Sequence, residues 1–299
     1  MLDGWNDHPV VRDTLAEASD ALAEDIGRLI KDGPKEALAL TTNTQPVMLV
    51  AGVAAYRVWI AETGVPATVV AGHSLGEYAA LVASGVLSLA QAAPLVRFRA
   101  QAMQDAVPVG VGAMAAILGM DATRVVEGCA EAVQAFGPAT LEVVEAVNFN
   151  DPMQTVIAGT KAAVDKACEI LKANGAKRTL PLPVSAPFHS SLMRPAAERL
   201  KERLANIVFA MPRIPMVNNV DVIAETDAER IRAALYRQAF YPVRWVDCVQ
   251  AIKARGINVI VECGPGKVLA GMVKRIDPAL TGVPMFDPAS LAAVKEMLV

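Results

Sequence analysis

"ATVVAGHSLGEYAALVAS", residues 67–84, holds the decision about the fold. A short apolar run leads into Gly72, His73, Ser74, Leu75 and Gly76, and a helical apolar pattern follows. G-x-S-x-G between a strand and a helix is the arrangement of a nucleophile elbow. Side chains two positions either side of the serine would collide in so tight a turn, which predicts the glycines at 72 and 76. The turn projects the Ser74 hydroxyl into a cleft. There the backbone N–H of Leu75 faces the oxygen of a tetrahedral intermediate, and the dipole of the following helix favours the charge.

Outward from the elbow, helical and strand patterns alternate, which predicts α/β layers around a mainly parallel sheet. Val10 to Ile30 reads as an amphipathic helical region, broken at Gly33 and Pro34. Residues 44–64 read as a long buried helix stopping at Gly64. Tyr78 to Val96 carries no charge and is long enough to span a bilayer, but Ser84, Gly85, Ser88, Gln91 and Pro94 divide it into two helices with a turn between. Ser88 and Gln91 have capping-box spacing, so Ser88 is expected to start the second helix.

The texture changes after Val109. "GAMAAILGM", "ATRVVEGCAEAVQAF", "LEVVEAVNF", "MQTVIAG", "KAAVDKACEILKANG" and "AKRTLPLPV" run strand, helix, strand, strand, helix, strand. That is the ferredoxin-like order. It predicts a small domain over 110–184, inserted into a large hydrolase-like domain built from 1–109 and 185–299.

The bulk numbers narrow the function. The 299 residues are 54% hydrophobic and 20% charged, which is globular and not disordered. A net charge of −3 supplies no basic field for nucleic acid. The four cysteines form no C-x-x-C pair and read as buried thiols of a reducing compartment. No signal peptide is visible, because Asp3, Asp7 and Asp13 interrupt the amino terminus. The expectation is a cytoplasmic protein with no membrane segment.

A serine nucleophile needs a base, and the chain has three histidines. His8 falls in a pre-helical loop expected to be solvated. His73 neighbours Ser74 and points away from it. His189, in "PVSAPFHSSLM", remains. The 110 residues after it argue against a simple esterase, whose acid and histidine come late in the chain. In residues 94–106 the apolar stripe of Leu95, Phe98, Ala102, Met103 and Ala106 includes Arg99. An inward arginine needs an anion, either an internal carboxylate or the carboxylate of a substrate. "GPGKVL", residues 264–269, has the look of a phosphate loop but reads as a tight strand-to-helix turn.

Taken together, "GHSLGEY", "LVRFRAQAMQDAVPVGVGAMAAILG", "VNFN", "GAKRTLPLPVSAPFHSSLM", "VNNVD" and "GPGKVL", in this order, resemble the malonyl-CoA:acyl carrier protein transacylases of bacterial fatty acid synthesis. The resemblance covers essentially the whole chain. It implies ping-pong transfer through a malonyl ester of Ser74, with no cofactor and no metal. The partners it implies are malonyl-CoA and the phosphopantetheine thiol of acyl carrier protein, with the enzyme acting as a monomer. His189 matches the family's base, Arg99 its arginine for the malonyl carboxylate, and Leu75 an oxyanion donor. Gln238 matches a residue whose main-chain carbonyl orients the histidine. Met103 matches a residue lining the acyl pocket, Phe188 resembles the malonyl-selective form of related polyketide acyltransferases, and Asn148 is a further pocket candidate. Lys177, Arg178, Arg194, Lys274 and Arg275 are candidates for docking an acidic carrier. The family's opening strand and Gly-Gln-Gly turn, which supply the other oxyanion N–H, have no counterpart here, so the second donor is unnamed and reduced activity is expected. The alternatives are a discrete malonyl acyltransferase serving polyketide carriers, a serine hydrolase, or an inactive acyltransferase-like docking protein.

Overall fold

The computed structural model describes residues 2–5, 8–184 and 186–298. The chain begins with helices: α1 (Pro9–Leu22), α2 (Ile26–Asp32), α3 (Lys35–Ala39) and the long α4 (Thr41–Thr63). The amphipathic region at the start is thus two helices. Ala23 ends the first at a left-handed φ of 52°, and the Asp25 carboxylate starts the second by accepting the Arg28 N–H. Gly64 closes α4 at φ 68°, donating to the Ile60 carbonyl.

Next come β1 (Val70–Ala71), α5 (Gly76–Ala83) and α6 (Leu89–Asp105). Ser88 and Gln91 exchange the two hydrogen bonds of a capping box at the start of α6. Pro94 does not help to end or divide this region, because α6 runs through it. One lost backbone bond is outweighed where Ala92, Ala93, Leu95 and Val96 are all fully buried around it.

β2 (Gly112–Leu118), α7 (Ala122–Gln134), β3 (Val144–Asp151), β4 (Gln154–Thr160), α8 (Lys161–Ala173) and β5 (Arg178–Pro181) follow in turn. Their strands form one antiparallel sheet in the order β3-β4-β2-β5. Alternation along β2 sends Ala115 and Ile117 to a core shared with Val125, Val164 and Leu171 of α7 and α8. Met114 and Ala116 point to the other face beside their cross-strand partners Ala158 and Val156, and Leu182 and Phe188 pack on them there. Both faces are closed.

The chain then continues through α9 (Arg194–Ala205), β6 (Met216–Val217), α10 (Ala228–Gln238), α11 (Trp245–Lys253), β7 (Val259–Cys263), α12 (Val268–Ile276), β8 (Thr281–Met285) and α13 (Pro288–Leu298). β1 pairs with β6 and β7 with β8, both in parallel. The parallel pairing expected outside residues 110–184 is present, but not as one sheet. Among the described residues the parallel strands make two separate two-stranded sheets, and the antiparallel four-stranded sheet lies within 112–181. β1 and β6 have two residues each, too few to organise a layer, so helices supply the main core through Val50, Ala54, Leu81, Leu95 and Leu200. No helix among the described residues is long and apolar enough to cross a membrane.

Candidate active site

Ser74 leaves the carboxyl end of β1 and enters α5 at a φ of 52°. A non-glycine residue at positive φ is strained, and such strain persists only where its surroundings enforce it. Gly72 is one source of that enforcement. A Cβ there would lie 1.9 Å from the carbonyl carbon and oxygen of Gly76, so no other residue fits. The collision expected at Gly76 does not occur, since a Cβ there meets nothing within 4 Å. The crowding is one-sided: the backbone of the turn folds over Gly72, while Gly76 faces outward.

The Ser74 hydroxyl lies 2.6 Å from His189 Nε2. His189 stands in the loop before α9, also at positive φ (66°), and is 4% exposed. Its Nδ1 is 2.8 Å from the main-chain carbonyl of Gln238. A carbonyl only accepts, so Nδ1 carries the proton and Nε2 offers its lone pair to the serine. Burial, and after it the neighbouring Arg99 charge, push the His189 pKa down to about 3. The imidazole is therefore neutral and able to take a proton.

Arg99 is 2% exposed on α6. Its Nη1 donates to Gln45 Oε1, and its Nη2 to Gln238 Oε1 at 3.0 Å and to the Ser74 hydroxyl at 3.1 Å. The guanidinium also sits 5.4 Å from the centre of the Tyr78 ring. All of its partners are neutral. No carboxylate of the described residues lies within ion-pair distance, which removes the reading of Arg99 as half of an internal salt bridge. Burial lowers its pKa, yet an arginine remains charged. A buried cation held by amides and a hydroxyl is ready for a carboxylate beside the nucleophile.

Leu75 occupies the position before α5, and its N–H is bonded to no acceptor among the described residues. Met103 lies one turn beyond Arg99 on the same face of α6, 1% exposed. Phe188, half-buried, packs both on the main core and on the face of the antiparallel sheet. Asn148 sits on β3, bridged in parallel to Val243, with a buried Oδ1 that has no partner among the described residues. No hydrogen bond brings it to Ser74. Instead Asn150, two residues on, holds the His73 ring at 2.8 Å, edge-on to Trp245 and turned away from the serine. His8 is half-buried against Trp5 and 3.7 Å from Glu62, so the expected solvated loop is corrected there.

Two participants were not legible in the sequence. Gln45, on α4, anchors Arg99 from 54 residues away, and its only signal was a glutamine in an apolar helix. Asn219 accepts the Ser74 N–H at 2.8 Å and donates to the Gly72 carbonyl at 2.8 Å, clasping the elbow from 145 residues away. No cluster of three or more metal-ligating side chains exists among the described residues.

The model of the acyl transferase domain family matches residues 5–279. The malonyl CoA-acyl carrier protein transacylase of Escherichia coli K12 is 49% identical over 290 residues, covering 97% of this chain and 92% of that one. The enzyme of that name from Bacillus subtilis 168 is 41% identical over 286 residues, covering 95% and 87%. Among solved structures, the acyl-carrier-protein S-malonyltransferase of Burkholderia pseudomallei 1710b superposes with a TM-score of 0.95 at 60% identity, covering 99% of this chain and 94% of that one. A malonyl-transacylase solved in complex with its type II polyketide acyl-carrier protein superposes with a TM-score of 0.93 at 47% identity, covering 97% and 92%.

Proposed function

Because this chain belongs to the acyl transferase domain family, and within it to the malonyl-CoA:acyl carrier protein transacylases, we infer that Ser74, His189 and Arg99 carry its malonyl transfer. The enzyme moves malonyl from malonyl-CoA to acyl carrier protein in fatty acid synthesis. The observation that carries the assignment of residues is a buried arginine with only neutral partners, 3.1 Å from a serine hydroxyl that a neutral histidine holds at 2.6 Å.

Malonyl-CoA enters with its carboxylate on Arg99, exchanging a neutral acceptor for a charged one. His189 Nε2 takes the Ser74 proton as Oγ attacks the thioester carbonyl, and the oxyanion forms against the Leu75 N–H. The intermediate collapses with expulsion of the coenzyme A sulfur, which receives the proton from His189. The phosphopantetheine thiol of the carrier then gives its proton to His189 and attacks the ester carbon. Collapse of the second intermediate returns Ser74 Oγ, now protonated by His189. Met103 and Phe188 line the acyl pocket, with Asn148 at its edge, while the Gln238 carbonyl keeps the imidazole in one tautomer. A single chain supplies all these groups, so a monomer suffices.

The finer architecture we propose is a hydrolase-like domain of 1–109 and 185–299 interrupted by a ferredoxin-like domain of 110–184. Its support is the β3-β4-β2-β5 sheet order and the separate core beneath that sheet. For the carrier, Lys177, Arg178 and Lys274 are the candidate contacts. Arg194 is partly engaged over the Phe240 ring at 4.5 Å and Arg275 by Asp151 at 2.7 Å. A cytoplasmic setting fits a coenzyme A substrate and four free thiols.

Intact-protein mass after mixing with malonyl-CoA, without carrier, tests the assignment. The native chain gains one malonyl group and Ser74→Ala none, while His189→Ala acylates roughly 10²–10⁴-fold more slowly. Labelling of the alanine variant at the native level would remove Ser74 from the mechanism.

A further inference from the structure

Gln238 touches every member of the site. Its carbonyl holds His189, its Oε1 accepts from Arg99, and its Nε2 donates to the Ser74 carbonyl at 2.8 Å. Asn219 clasps the elbow from the other side through the Ser74 N–H and the Gly72 carbonyl. Gln238 ends α10 and Asn219 follows β6, so neither is fixed in place by the elbow's own chain. Both lead to one atom. Glu77 Oε2, on the first turn of α5, accepts the Asn219 N–H at 3.0 Å and the Gln238 Nε2–H at 3.0 Å. Glu77 is fully buried, and its Oε1 has no partner among the described residues.

We propose that Glu77 is a positioning residue for malonyl transfer, a buried carboxyl that grips Asn219 and Gln238 together and so fixes both the nucleophile elbow and the carbonyl that orients His189. The proposal rests on the reading of Ser74 and His189 given above. A carboxyl buried for packing alone would be replaced without loss by an apolar side chain, because burying it without full pairing costs stability. Glu77 and Arg99 feel each other's charge through space, but no ion pair within 4 Å joins them, and Gln238 stands between the two by bonding to both. What Glu77 does provide is a single acceptor, three residues after the serine, where two distant segments of the chain meet. Burial pushes its pKa up to about 7, with the bonds from Gln238 and Asn219 and the Arg99 charge pulling the other way, so accepting these two donors does not require the ionised form.

The test uses the full chain with Glu77→Gln, Glu77→Leu and Glu77→Asp. Glu77→Gln keeps an acceptor at the same reach and is expected to transfer malonyl as the native enzyme does. Glu77→Leu removes the acceptor and is expected to lower kcat about 10²-fold, the scale of a misplaced reacting group, with KM for malonyl-CoA unchanged. Glu77→Asp keeps the carboxyl and withdraws the oxygen by one methylene. It is expected to behave like the leucine variant, and it carries the test if the leucine variant does not fold. The direct readout is the proton resonance of His189 Nδ1–H, which depends on the Gln238 carbonyl and needs no turnover. It should move in Glu77→Leu and Glu77→Asp and stay in place in Glu77→Gln. A folded Glu77→Leu or Glu77→Asp with native kcat and an unmoved resonance would overturn the proposal. Native enzyme that takes up no malonyl would instead overturn the Ser74 assignment, leaving the resonance to decide the role of Glu77.

Discussion

Two strand–turn–helix units in this chain use similar material for opposite ends. One is β1–Ser74–α5, and the other is β7–Gly264–α12, the turn that holds "GPGKVL". Each joins a strand of a parallel pair to a helix, each turn contains glycine, and each has a half-buried or buried glutamate close by. In the second unit Glu262 lies before the turn and folds its carboxylate over the start of α12. Its Oε2 accepts the Ala270 N–H at 2.7 Å, and the amides of Val268 and Leu269 also face it. The anion-binding end of that helix is filled from within. In the first unit the glutamate comes after the turn, is drawn inward onto Asn219 and Gln238, and leaves the Leu75 N–H uncovered. Where the carboxyl goes separates a closed helix start from one open to the proposed oxyanion.

The largest effect that would break this contrast is expected at Arg99, the cation toward which only the first turn opens. Arg99→Ala should lose malonyl transfer by about 2–5 kcal/mol, or roughly 30-fold to several thousand-fold, while keeping acetyl transfer. Because the Arg99 charge helps hold the His189 pKa down, its removal should also raise that pKa. The acid limb of acetyl transfer should then move to higher pH. Equal loss of both activities together with melting temperature would return Arg99 to a structural role.

A smaller effect concerns the inward glutamate and has a definite sign. Glu77 titrates near 4.5 when free and at about 7 in the fold, where Arg99 and Asp221 are its charged neighbours. The folded chain therefore holds a proton that the unfolded chain releases. Its contribution is complete below pH 4.5 and is lost as pH rises through about 7. Glu77→Gln has no such loss. Its melting temperature, relative to the native chain, should climb by several degrees between about pH 5 and pH 8, at ~2–4 °C per kcal/mol. His189 titrates in both proteins and cancels. A flat difference would mean the carboxyl is not held neutral.

The smallest effect belongs to the closed turn. Glu262→Ala strips the cover from α12 and should cost about 1 kcal/mol, the worth of a helix cap, read as a lower melting temperature with unchanged malonyl transfer. A fall in kcat would join the second turn to the reaction and blur the comparison.

The same two units show which parts of this protein a sequence reveals. Gly72 and Ser74 are legible because the turn's sterics act within five residues, and His189 because three histidines leave little choice. Arg99 is legible as a cation in an apolar stripe, yet whether its partner is internal depends on what surrounds it in space. Gln45, Asn219 and the inward path of Glu77 are not legible, because each acts through bonds spanning 54 to 161 residues. The six-element strand and helix order between Gly112 and Pro181 survives translation into structure because each element follows its own local period. The sheet order does not follow the chain: only β3 and β4 are neighbours in both, and β2 pairs across to β4 and β5. The parallel strands do not translate as one layer, because their periodicity says nothing of how few residues would pair.

Ser74 and His189 both hold positive φ, the backbone setting that suits glycine and strains almost anything else. The two side chains proposed to perform the reaction thus stand where the polypeptide would be more comfortable without side chains. Replacing either by glycine would relieve the backbone and remove the proposed chemistry, so stability and turnover pull these two positions in opposite directions.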